Sequence, residues 1–240
     1  TGSTDSIQQF TDKAMADLTK GDTRLIFDAC KKRGLLRNQC AYVLATAYWE
    51  TARTMKPINE AGGPVYFKRM YDITGNRTSV AKRLGNTEHG DGVRFHGRGY
   101  VQITGRRNYE RAGAETGVDL VASPDDALEP EIAAPILVSG MAEGWFTGRK
   151  LDDYITLRRS DFKGARRIIN GTDRDDEIAA VARDYDKTLR ATGYGVSAET
   201  LPRAQLPGKP LPTPPGAPPG VNQSFWTVIA AFFGRLFHRR

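Results

Sequence analysis

Glu50 closes a stretch, AYVLATAYWE, in which the nine preceding residues carry no charge. At helical spacing it shares a stripe with Leu36, Cys40, Val43 and Ala47, with Leu44 and Tyr48 beside it, so its carboxyl is expected to be partly desolvated. It also lies near the C-terminal, negative end of that helix. Both effects disfavour ionisation. A carboxyl that keeps its proton near neutral pH is what cleavage of a glycosidic bond needs, because an acid must protonate the leaving oxygen. Two plainer readings compete: a glutamate that escapes to solvent at a helix end, and one neutralised by a buried arginine.

An inverting glycosidase needs a second carboxylate, ionised and roughly 6.5–9.5 Å from the first, with room for a water between them. Glu60 is a candidate. Pro57 breaks the preceding helix, so Glu60 in PINEAGG is expected in a glycine-bearing turn, hydrated and charged. Glu88 and Asp91, in NTEHGDG, are rival bases in another loop, and the residues themselves leave the choice open.

A third group is the stretch 94–109, RFHGRGYVQITGRRNY. Its glycines permit close backbone approach, and Arg98, Tyr100, Gln102, Thr104 and Asn108 supply guanidinium, aromatic, amide and hydroxyl groups. Amides can pair the hydroxyls and N-acetyl groups of a pyranose while aromatic faces cover its apolar C–H side. An RNA-binding loop using the same arginines and tyrosines, or plain turn chemistry, would read similarly.

Other chemistries lack their minimal patterns. The three histidines, His89, His96 and His238, form no His-Glu-x-x-His pair, so no metal site and no cofactor are expected. There is no Gly-x-Ser-x-Gly elbow, and Gly97-Arg98-Gly99 lacks the third glycine of a dinucleotide site. Cys30 and Cys40 lie in helical segments and are read as reduced, buried thiols.

These side chains must be positioned by helices. From Ile7 to about Tyr194 helical periodicity alternates with short turns, and strand patterns are scarce. The clearest helix spans 36–53; others are expected near 4–19, 22–33, 106–116, 130–146, 161–169 and 175–191. Asp173, Asp175, Asp176 and Glu177 crowd the start of the last helix, where they favour its positive dipole end. The domain reads as mainly α, over residues 1–196. Residues 197–221 form a Pro/Gly-rich linker, expected to be extended and semi-rigid. Residues 222–240 form a basic, aromatic tail, shorter than the ~20 apolar residues that span a bilayer and read as contacting a membrane surface.

A net charge of +7 gives the surface an attractive potential for anionic polymers, among which nucleic acid, anionic lipid and bacterial cell wall all qualify. The start, TGSTDS, has neither a basic leader nor an apolar stretch, so no secretory signal peptide is expected.

Within this frame GRGYVQITGRRNY closely resembles the signature of the glycoside hydrolase family 19 chitinase-like fold, in the branch found in phage endolysins. The segment ending AYVLATAYWET, then EGWFTGRKLDDYI and ARRIING, match in order, and together they cover residues 36–190. The resemblance implies a lysozyme-like, mainly α domain with a substrate cleft, in which Glu50 takes the place of the catalytic acid and Glu60 that of the base. It implies that Gln102, Thr104 and Asn108 bind substrate or position the attacking water, that Asn170 binds substrate, and that Arg183 pairs with the acid. Two departures stand out: Trp49 where His is common, and Ala-Arg-Thr-Met after Thr51 where the family is Gly-rich.

The expectation is therefore a cofactor-free peptidoglycan hydrolase that cleaves between N-acetylmuramic acid and N-acetylglucosamine. It would act as a monomer on glycan strands, with no nucleic-acid partner. It would be made in a host cytoplasm and act on the wall in the periplasm. A chitinase using the same machinery is the nearest rival. A non-catalytic wall-binding or membrane-disrupting protein working through residues 222–240 is the rival of another class.

Overall fold

The computed structural model of the protein describes residues 16–195, and the linker, the tail and the first part of the expected 4–19 helix lie outside them. The described chain is mainly helical: α1 (Thr23–Arg33), α2 (Arg37–Glu50), α3 (Pro64–Tyr71), α4 (Thr78–Arg83), α5 (Asp91–Arg94), α6 (Arg106–Thr116), α7 (Pro130–Glu143) and α8 (Asp175–Ala191). Two antiparallel pairs of two-residue strands, β1 (Ile58–Asn59) with β2 (Arg98–Gly99) and β3 (Ile155–Thr156) with β4 (Arg159–Ser160), complete it.

Helix α2 is the axis of the domain. The sequence leads one to expect a single buried stripe, but Gln39 through Tyr48 are all buried. Helices α1, α7 and α8 pack against it, with α8 making the most extensive contact. A helix covered on every side can be apolar on every side, as this one is. Its start is fixed by Gln39, whose Oε1 accepts from the Leu36 amide at 3.1 Å while its Nε2 donates to Asp152 and to the Ile155 carbonyl in β3.

The other helices follow ordinary local rules. Pro64 and Pro130 open α3 and α7, where the missing amide hydrogen costs nothing. Gly34, Gly117 and Gly144 close α1, α6 and α7 in the left-handed conformation. The Gly144 cap stops α7 at Glu143, three residues before the expected end. Asp175, Asp176 and Glu177 occupy the first turn of α8 as expected. The expected helix near 161–169 is instead a 3-10 segment, Gly164–Ile168. Cys30 and Cys40 are free and buried, as expected.

Candidate active site

Helix α2 ends at Glu50, not at Arg53, because its last carbonyls are satisfied by a turn that leaves the helix. Thr51 Oγ1 donates to the Ala47 carbonyl at 2.7 Å, and the Arg53 amide reaches back to Tyr48 at 2.7 Å. Ala52, Arg53 and Met55 take φ of 51°, 67° and 56°, a conformation that favours glycine. Met55 is fully buried, and its amide donates to Thr51 Oγ1 at 3.0 Å.

Glu50 is partly buried, but its neighbour is a cation rather than an apolar wall. Arg166 Nη1 donates to Glu50 Oε1 at 2.5 Å, with the arginine side chain 3% and the glutamate side chain 18% exposed. Arg166 also donates through Nε to the Asp173 carbonyl at 2.9 Å. The plainer reading of a buried arginine beside the acid is therefore the correct one for this structure. Arg183, the partner that the resemblance implied, lies exposed on α8, and the 3-10 segment supplies the buried guanidinium instead. Asn170 is buried beside it, with its amide donating to the Arg166 carbonyl at 2.9 Å. Arg166 sits inside the ARRIING stretch, four residues before Asn170.

Glu60 is also placed differently from expectation. It is buried rather than hydrated, because the β1–β2 pairing carries its turn against the chain at Gly97. The Glu60 amide donates to the Gly97 carbonyl at 2.8 Å, and the Gly97 amide donates back to Glu60 Oε2 at 3.0 Å. Tyr71 Oη donates to Oε1 at 2.6 Å. Burial pushes the Glu60 carboxyl above its usual range, and the Tyr71 and Gly97 donors pull the other way without cancelling it. Gly97 matters for its missing side chain: a Cβ there would come within 3.0 Å of both Glu60 Oε2 and Gln102 Oε1.

The loop after β2 is held by the groups expected to meet sugar, which corrects two of those assignments. Every nitrogen of the Arg98 guanidinium is occupied inside the protein. Nε and Nη2 hold Asp125 at 2.8 and 2.7 Å, and Nη1 donates to the Arg94 and His96 carbonyls and to Tyr109. Tyr100 is 1% exposed, and its hydroxyl donates to Asp22 at 2.9 Å. Both are scaffold, since a buried ring and a spent guanidinium offer nothing to a saccharide.

Gln102, in the left-handed region at φ 54°, spends its Nε2 on the Ile58 and Gly99 carbonyls. Its Oε1 is buried with no hydrogen-bond donor among the described residues. Thr104 Oγ1 donates to the Gln102 carbonyl at 3.0 Å, which leaves the hydroxyl oxygen free to accept. Asn108 Nδ2 donates to the Thr104 carbonyl at 2.7 Å.

The rival bases are engaged by other partners. Asp91 is buried, yet its carboxyl lies below its usual range: burial opposes that, and it is outweighed by Arg106 and by the amides of Glu88 and Thr87. Glu88 is exposed and pairs with the same arginine at 3.0 Å. Together these two acids anchor the start of α6. Among the described residues no group of three His, Cys, Asp or Glu side chains is placed to hold a metal. No helix among them is long and apolar enough to cross a membrane.

The structure thus builds two networks: Glu50 with Arg166 and the Asn170 segment, and Glu60 with Tyr71, Gly97 and the Gln102–Thr104–Asn108 loop. Residues 30–148 match the family model for glycoside hydrolase family 19, chitinase class I, a match that ends before Arg166 and Asn170. Among solved structures, chitinase C from Streptomyces griseus HUT6037 is 19% identical over 79% of this chain and 81% of that one, with a TM-score of 0.42. A chitinase C mutant is 14% identical over 65% of this chain and 73% of that one, with a TM-score of 0.41. No curated protein matches the chain.

Proposed function

The chain belongs to glycoside hydrolase family 19, and from that premise we propose that it is a peptidoglycan hydrolase of the endolysin kind, cleaving the β-1,4 bond between N-acetylmuramic acid and N-acetylglucosamine with inversion. The observation that carries this reading is a pair of carboxyls held in place by donors from other elements, one in each of the two networks. Glu50 faces a buried cation, whereas Glu60 is buried among neutral donors.

In this scheme Glu50 gives its proton to the leaving oxygen, and the Arg166 guanidinium meets the negative charge that develops on the carboxylate left behind. Glu60 takes a proton from the attacking water. Its raised proton affinity makes it a stronger base than an exposed glutamate, while Tyr71 and Gly97 support its ionised form. The Thr104 hydroxyl oxygen, an acceptor, takes the water's other hydrogen, and Asn108 and Asn170 bind the glycan.

The choice of wall glycan over chitin is supported by the net charge of +7, which favours an anionic polymer over a neutral one. On this reading residues 1–196 catalyse, 197–221 link, and 222–240 contact the bacterial membrane, with the monomeric protein made in a host cytoplasm and acting in the periplasm. The family model's own description, chitinase class I, favours the second reading, hydrolysis of N-acetylglucosamine polymers.

Mass spectrometry of digests decides between them. Purified sacculi are expected to release muropeptides with reducing N-acetylmuramic acid ends. Intact sacculi alongside abundant chitobiose from chitin would establish the chitinase instead. Truncation after Thr200 is expected to preserve digestion of isolated peptidoglycan; loss of all effect would favour a protein that works through its tail.

A further inference from the structure

We propose that Arg53 and Arg174, both laid against the ring of Trp49 beside Glu50, form a carboxylate-recognising rim that selects glycan strands carrying anionic peptide stems. The inference rests on the peptidoglycan reading above and names the group that would make the distinction.

Three observations converge on it. The Arg53 and Arg174 guanidinium carbons lie 5.5 and 5.8 Å from the Trp49 ring, so two exposed cations share one indole immediately next to the candidate acid. An aromatic face attracts and orders a guanidinium while leaving its N–H edge available. Both arginines also stand in left-handed backbone, φ 67° and 57°, with Ala52 and Met55 in the same region beside Arg53. Such residues are strained and persist where surrounding contacts over-determine them.

Those contacts are present, and they tie the rim to the site. The Arg53 amide is held by Tyr48 in α2, and Asp22 donates its amide to the Met55 carbonyl at 2.9 Å. Arg166, which holds Glu50, also holds the carbonyl of Asp173, the residue before Arg174. The same buried cation therefore sets the position of the acid and of one rim arginine.

The charges are available to a ligand. Arg53 has no ion-pair partner among the described residues. Arg174 has only an exposed contact with Glu177 at 3.4 Å, and pairs of that kind contribute little. The nearby Asp175 and Asp176 are engaged by Lys163 at 3.7 and 2.7 Å. Chitin presents only neutral hydroxyl and acetamido groups. Peptide stems place carboxylates beside every second sugar, and a planar fork of N–H donors suits a carboxylate.

The test compares wild type with Arg53→Gln, Arg174→Gln and the double variant on intact sacculi, on sacculi whose carboxyls have been amidated, and on the N-acetylglucosamine hexamer. On intact sacculi each substitution is expected to raise KM by up to about fivefold and the pair by about tenfold, with kcat little changed. On amidated sacculi and on the hexamer the variants should match wild type, which also shows that they fold. Equal losses on charged and neutral substrates would make the arginines structural and overturn the inference. Wild type that clears sacculi with the double variant unimpaired overturns this inference alone, whereas wild type inactive on sacculi removes the peptidoglycan reading along with it.

Discussion

Arg166 holds Glu50 at 2.5 Å and, through another nitrogen of the same guanidinium, the backbone at Asp173. One buried cation therefore fixes the candidate acid to the turn that opens α8. Replacing it with glutamine removes the charge that meets the negative charge left on Glu50 when its proton departs. A loss of about 10²–10³-fold in kcat is expected, together with a stability loss of about 1–3 kcal/mol from the partners left behind. Steady-state kinetics and thermal unfolding check both. An Arg166→Gln enzyme with unchanged kcat would confine this residue to the scaffold.

The pH dependence should carry the mark of Glu60, whose carboxyl burial raises above its usual range. As the base it must be ionised, so kcat/KM is expected to climb through an acidic limb lying above the ordinary glutamate value of about 4.3. Between that value and the raised one, the folded protein binds more protons than the unfolded chain. The Glu60 contribution to stability is therefore full below the ordinary value and is lost as pH rises through the raised one. Urea unfolding across pH, for wild type and Glu60→Gln, isolates this slope; identical slopes would contradict the assignment.

Tyr71→Phe removes the donor at 2.6 Å from Glu60 Oε1 and keeps the ring. Because that donor favours the ionised carboxylate, its loss should move the acidic limb to still higher pH, at a stability cost of about 1 kcal/mol. A limb that stays in place would show that Tyr71 does not act on Glu60. The shift is the informative readout, since a merely structural tyrosine would lower stability without moving it.

Gly97→Ala tests the close approach between β1 and β2. The new methyl would press on both Glu60 Oε2 and Gln102 Oε1 at 3.0 Å. Displacing a reacting group by a fraction of an ångström to an ångström costs up to about 10²-fold in rate, while local crowding costs about 1–3 kcal/mol in stability. Activity should therefore fall much more than the unfolding free energy accounts for. A fully active variant would mean that Glu60 need not sit where it does.

Much of the scaffold was legible because it follows local rules. The 106–116 and 175–191 helices fall on the expected residues, their ends set by Gly117 and by the acids that open α8. The 36–53 helix overran because its end uses Ala52 and Arg53 in left-handed backbone, with no glycine to mark it. The candidate acid stands out by its uncharged flank, yet its surroundings differ from the apolar wall expected, since Arg166 lies 116 residues away in sequence. Glu60 was expected in water for the same reason: the Gly97 backbone and the Tyr71 hydroxyl that enclose it come from other elements. Arg98 and Tyr100 have the side chains of a sugar site, but the fold spends them on Asp125, Tyr109 and Asp22. Local pattern nominates the candidate groups, and long-range packing decides what each one touches.

The central claim, that Glu50 is the proton donor of a wall-cleaving enzyme, is tested most directly by the rate at which Glu50→Gln lowers the turbidity of purified sacculi, with circular dichroism showing that the fold is kept. The account predicts a folded protein without detectable lysis. A folded Glu50→Gln variant that clears sacculi at the wild-type rate would contradict it.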